Sequence, residues 1–154
     1  MHTLSHGQQN KSMLAFGLAA DCPVNFLDEP TNGLDIPSKS IFRKLVAGVV
    51  DEKKCFVIST HQVRDIEHLI DTVIVLDDGK IVFDHSLEEI ANKLSMQQGG
   101  MNPNESSIYS LDDGLGGYSI VHKNFSENPG TVDLELLFNA ISTDSERIKA
   151  VFSR

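Results

Sequence analysis

The chain has 154 residues, 40% of them hydrophobic and 23% charged, which is the composition of an ordinary globular domain with room for a small appendage. Its net charge of −9, with no Lys/Arg run longer than two, argues against the basic patch that a sequence-independent nucleic-acid surface needs. Its longest apolar stretches, such as Met13 to Ala20, fall far short of the roughly 20 residues that span a bilayer.

Met1 to Asn10 is polar, with no signal-peptide pattern, so a cytosolic setting is expected. Ser5 is a natural N-cap. The residues after it, through Ala20, carry a helical apolar pattern in Leu14 and Leu18 beside Ala15 and Ala19. Such a helix start presents free N–H groups and a positive dipole end to an anion, although caps of this kind are common in helices without any ligand. Val24 to Asp28 is a short apolar run between Pro23 and Pro30 and reads as a buried strand. Thr31 to Ile36 is a loop. Pro37 sits near the start of a helix running to about Val50, with Ile41, Phe42, Leu45, Val46 and Val49 on one face. Cys55 to Thr60 reads as a second buried strand, ending at His61. Cys22 and Cys55 are far apart in sequence and in apolar surroundings, and are expected as reduced core residues. A short helix is expected over Val63 to Ile70, and a strand over Thr72 to Leu76. Asp78-Gly79 then makes a hairpin turn into Lys80 to Phe83, and a capping box at Ser86 to Glu89 opens a helix to about Leu94.

The tail divides differently. Ser95 to Ser107 is rich in Gly, Asn and Gln and reads as a linker. Ile108 to Leu111 and Tyr118 to Val121 flank the Gly-rich turn Asp112 to Gly117 as a hairpin. Val132 to Ile141 is an amphipathic helix. A second capping box, Thr143 to Glu146, opens a last helix to about Phe152. No chemistry is assigned to residues 108–154.

The chemistry concentrates around residues 28–61. Asp28 and Glu29 are adjacent acids at the carboxyl end of a strand, where open α/β sheets bind ligands. Strand ends often carry solvated acids. Unpaired at the edge of a core, however, two carboxylates raise at least one pKa, and a divalent cation relieves that. One strand–helix–strand unit separates Glu29 from His61, so the two strands are expected parallel, with Asp28, Glu29 and His61 converging on one edge.

Leu4-Ser5-His6-Gly7-Gln8 resembles the signature motif of the ABC ATPases. Val24 to Glu29 resembles their Walker B strand, Asn32-Gly33-Leu34-Asp35 their D-loop, and Ser59-Thr60-His61 their switch-histidine strand, all in the family's order. The resemblance covers about residues 3–94. It implies a P-loop NTPase-like parallel sheet with flanking helices over residues 1–94, then the linker 95–107 and a small α+β appendage over 108–154. It implies ATP and Mg²⁺ as cofactors. Asp28 would hold Mg²⁺ through water, Glu29 would act as catalytic base, and His61 would hold the γ-phosphate and the attacking water. Ser5, His6, Gly7 and Gln8 would meet the nucleotide of a second ATPase subunit in a head-to-tail dimer, homo- or heteromeric, and Asp35 would belong to the D-loop. The other implied partner is a transmembrane permease subunit, which would hold the chain peripherally at the inner face of the plasma membrane. No nucleic-acid partner is expected.

Two departures qualify the resemblance. His6 stands where the family has Gly. The sequence also contains no G-x-x-x-x-G-K-S/T, its one Gly-Lys being Gly79-Lys80 in a hairpin. The chain is therefore expected to be part of a longer ATPase and inactive alone. Two alternatives stand beside that expectation: a non-enzymatic half-domain lending signature and switch elements to a partner, and a soluble relative acting on ribosomes or DNA.

Overall fold

The computed structural model describes residues 6–20, 22–51, 53–100, 103–104 and 106–153. Contacts divide the chain into two units, Met1–Leu69 and Ile70–Arg154.

The first unit runs α1 (His6–Ala19), β1 (Val24–Asp28), α2 (Ile36–Val49) and β2 (Cys55–Ser59), followed by one 3₁₀ turn (Val63–Asp65). As expected, β1 and β2 are parallel, paired from Val24↔Cys55 to Asp28↔Ser59. The α2 crossover between them has the local signals a helix needs. The Asp35 side chain accepts from Ser38 N at 2.9 Å, a proline lies in the first turn, and Ser38, Phe42 and Val46 recur on the buried face. Leu14, Ala15 and Leu18 of α1 line a small apolar cavity with Leu34, Phe42 and Leu45.

Three expectations fail in this unit. The strands are half-buried on one face and open on the other: Val24 and Phe26 of β1 and Cys55 and Val57 of β2 are exposed, Phe26 at 78%. The reason is the size of the sheet. With two strands, and nothing among the described residues over that face, alternation leaves every second side chain in solvent. For the same reason Cys55 is an exposed thiol rather than a core residue, and Cys22, in the connection ahead of β1, is exposed as well. Finally, Val63 to Ile70 is not a helix. It is a 3₁₀ turn continued by i→i+3 bonds, Asp65 N to Gln62 O at 3.0 Å, Ile66 N to Val63 O at 3.1 Å and Leu69 N to Ile66 O at 2.8 Å. Gln62 and Asp65 are held instead by Lys39 of α2, and the backbone between them makes only the tighter i→i+3 bonds.

The second unit begins with a hairpin, β3 (Thr72–Asp77) and β4 (Lys80–Ser86). Its turn residues Asp78 and Gly79 have φ of 46° and 73°, the left-handed pair that a two-residue hairpin favours. β4 continues past Phe83 because Asp84, His85 and Ser86 pair with Ile74, Val73 and Thr72. Ser86 then caps α3 (Leu87–Lys93), accepting from Glu89 N at 3.1 Å. The Glu89 carboxylate turns to His85 Nδ1 at 2.9 Å and Lys93 Nζ at 3.3 Å.

The segment read as a linker starts as a strand. β5 (Leu94–Gly100) pairs antiparallel with β7 (Tyr118–Lys123), which pairs with β6 (Ser107–Asp112), in the order β5-β7-β6. Leu94 and Met96 alternate into the core, and that period outweighs the polar, Gly-rich composition that follows them. Contacts divide the chain at Leu69/Ile70, which places β5 within the second unit. The tail helices are α4 (Leu134–Thr143) and α5 (Ser145–Phe152). Asp144, not Thr143, caps α5, accepting from Arg147 N at 3.0 Å, because Thr143 closes α4 and its hydroxyl donates to Asn139 O. Ile90, Leu94, Val121, Leu137 and Ile148 are essentially sealed. Each such side chain contributes about 1.5–3 kcal/mol. Phe152 stacks on His85 at 4.1 Å and meets Phe83 edge-on at 5.2 Å.

Candidate functional site

The parallel register brings Asp28 and Ser59 level, so the residues that follow each strand leave the sheet side by side. Glu29 N donates to Ser59 O at 2.9 Å, extending the ladder by one bond. The chain then turns sharply. Glu29 has φ of 45°, in the left-handed region that costs a non-glycine residue about 1–2 kcal/mol. Asn32 N closes back on Glu29 O at 3.0 Å, and Leu34 N on Thr31 O at 3.2 Å. This twist turns the Glu29 side chain toward the end of β2.

There its carboxylate is gripped on both oxygens. Oε1 accepts from His61 N at 3.0 Å and lies 2.6 Å from His61 Nδ1, while Oε2 accepts from Thr60 Oγ1 at 3.1 Å. A carboxylate only accepts, so Nδ1 is the donor and Nε2 is the ring nitrogen left to face a ligand. Partial burial pushes the Glu29 carboxyl up. The hydrogen bonds from the His61 ring, the Thr60 hydroxyl and the His61 amide, with the charge of His61, outweigh it and hold the group below its ordinary value. Asp28 lies beside it, exposed, accepting a short hydrogen bond from Ser59 Oγ. The predicted trio of Asp28, Glu29 and His61 is thus assembled at one edge.

The other predicted residues lie elsewhere in the same unit. Asp35 is spent as the N-cap of α2, and its carboxyl is held low by the bonds to Ser38. His6, Gly7 and Gln8 fall in the first turn of α1, with Gln8 exposed. Ser5 lies outside the described residues. Sequence reading gave no role to Thr60, whose hydroxyl is the second clamp on Glu29, nor to Gln62, whose N donates to Thr60 Oγ1 at 2.9 Å. A polar run directly after an apolar strand was the available signal for both.

The donor set can be tested against Mg²⁺. No group of three or more His, Cys, Asp and Glu side chains able to share an ion occurs among the described residues. Mg²⁺ takes one or two carboxylates and completes its shell with water and phosphate oxygens, so a single open carboxylate is enough to meet it. With Asp28 open to solvent and Glu29 already clamped, Asp28 is the carboxylate that fits.

No family model matches the chain. It is 44% identical over 91 residues to the thiamine import ATP-binding protein ThiQ of Jannaschia sp. (strain CCS1), covering 58% of this chain and 40% of that protein. It is 34% identical over 86 residues to the ABC transporter ATP-binding protein NatA of Bacillus subtilis (strain 168), covering 56% and 35%. A third relative, the SkfA peptide export ATP-binding protein SkfE of the same organism, is 37% identical over 81 residues, covering 53% and 34%. The chain therefore spans well under half the length of these curated relatives. A crystal structure described as a cobalt transport ATP-binding protein matches 97% of this chain and 51% of its own, with TM-score 0.51 and 19% identity, a likeness of fold. No helix of the described residues is long and apolar enough to cross a membrane. Over more than half of its length the chain is a homologue of the ATP-binding proteins of ABC transporters, and its mixed α/β fold is that of an ABC ATPase.

Proposed function

We propose that the chain is the part of an ABC transporter ATPase that aligns and activates the water attacking ATP. The observation that carries this reading is the Glu29 carboxylate, held by His61 and Thr60 beside Asp28 at the carboxyl edge of two parallel strands. Glu29, kept ionised, is the base that orients water. His61, donating through Nδ1 to Glu29, offers Nε2 toward the γ-phosphate. Asp28 holds Mg²⁺ through water, and the ion, when bound, screens the charge of the phosphates. Such positioning and charge stabilisation make up most of phosphoryl-transfer catalysis. Ser5, His6, Gly7 and Gln8 contribute a helix start to the nucleotide of a second ATPase subunit, with Asp35 in the loop between. A separate permease subunit carries the transport path and holds the chain at the inner membrane face.

Nothing in the 154 residues supplies a phosphate-cradling G-x-x-x-x-G-K-S/T, so that loop comes from other polypeptide. Mixing the purified chain with a phosphate-loop segment of a relative tests the proposal. The wild-type chain should bring ATP turnover, and Glu29→Gln should lower it by about 10²-fold or more, the scale of removing a positioned base. Turnover insensitive to Glu29→Gln but lost with Ser5→Arg would favour the non-enzymatic half-domain that serves a partner. No effect of adding the chain would overturn both readings.

A further inference from the structure

His61 is fixed to Glu29, but the segment that follows it is a single 3₁₀ turn, whose weak i→i+3 bonds do not hold a loop by themselves. What steadies it is a side chain from α2. Lys39 Nζ donates to Gln62 Oε1 at 2.8 Å and lies 2.7 Å from Asp65 Oδ2, with Lys39 and Asp65 only 21% and 15% exposed. The Asp65 contact lacks the alignment of a hydrogen bond and acts as a charge contact. One turn further along α2, Arg43 reaches Asp65 O at 3.4 Å.

Lys39 is an odd residue for its place. It lies in the first turn of α2, where Lys39 N bonds Asp35 O at 2.9 Å, and a cation at the positive end of a helix is disfavoured. The ion pair and the Gln62 bond offset that cost. Gln62 in turn is tied to Thr60, and Thr60 to Glu29. Residues 60 to 62 are therefore pinned at both ends, to Glu29 before His61 and to Lys39 after it.

We infer that Lys39 is a positioning residue, which through Gln62 and Asp65 holds the His61 ring against Glu29 and couples the Asp35-capped helix to that ring. The inference rests on the reading of Glu29 and His61 as the working pair, but its test does not use turnover. The readout is the His61 ring in the full chain, by ¹⁵N and ¹H resonance: the Nδ1–H signal bonded to Glu29 and its exchange with water. Lys39→Met keeps the stem and removes the charge. It should speed exchange of that proton by about tenfold, the size of weakening one hydrogen bond, and Lys39→Arg should restore it. If Lys39→Met does not fold, Asp65→Asn is read by the same signal and the same threshold. A His61 ring signal unchanged in the folded variant overturns the inference. A changed ring signal, with turnover in the reconstituted ATPase indifferent to Glu29→Gln, would leave the Lys39 clasp standing and remove the proposed function.

Discussion

The two units of this chain are built by opposite means. In Ile70–Arg154, Val121 and Leu137 are sealed among the three-stranded sheet, the β3–β4 hairpin and three helices, and apolar burial does the holding. Among the described residues of Met1–Leu69 the buried apolar side chains are Leu34, Phe42, Val46 and Ile66, while Phe26 and Ile36 stand 78% and 83% exposed. What fixes the working end of that unit is polar: Ser59 on Asp28, Thr60 and His61 on Glu29, Lys39 on Gln62 and Asp65. The residues with assignable chemistry lie in the thinly cored unit. On the proposed function, the carboxylates that would meet nucleotide and ion stand at a solvent-facing strand edge, where hydrogen bonds and an ion pair rather than apolar packing fix them.

The sharpest way to break this contrast is to remove apolar volume from each side of it. Leu137→Ala should cost about 3 kcal/mol, within the 2–5 range for a sealed leucine. Urea unfolding followed by tyrosine fluorescence reads it, since Tyr109 and Tyr118 both lie in the second unit. Backbone crowding comes next. A Cβ at Gly130 would stand 2.3 Å from Leu94 O and 2.8 Å from Ser95 Cβ, so Gly130→Ala should cost about 1–3 kcal/mol by the same measurement.

Much of this contrast was legible in the sequence, and the gaps have physical causes. The motif order and the crossover spacing placed Asp28, Glu29 and His61 at one edge, because parallel strands joined by a helix leave little choice. The Asp78-Gly79 hairpin was equally legible, since few sequences satisfy two left-handed residues in succession. Burial of β1 and β2 was misread because an apolar run says that a strand forms, not how many strands flank it. The start of β5 was hidden because Gln97, Gln98, Gly99 and Gly100 look like loop, while its pairing depends on Met96 and on partners far along the chain. The polar run after β2 hinted at Thr60, but its grip on Glu29 and the Lys39 clasp depend on the left-handed turn at Glu29 and the 3₁₀ turn after His61, which no sequence pattern marks.

A smaller effect sharpens the comparison from the other side. Phe26→Ser on the open face of β1 should change the stability of the chain by no more than about 0.5 kcal/mol, as for an exposed position. Amide exchange along β1 and β2 measures it. A cost like that of Leu137→Ala would mean that the face is covered and the contrast false.

The most direct test of the central claim, that hydrogen bonds at the β1–β2 edge keep Glu29 ionised and aimed, is the titration of its carboxyl carbon by NMR. The folded value is lowered, so the stabilisation it gives is present above the ordinary 4.5 and is lost as pH falls through the folded midpoint. The account predicts a midpoint below 4.5 in the wild-type chain, moving upward when Thr60→Val removes one donor. A midpoint at or above 4.5, or one indifferent to Thr60→Val, would contradict it.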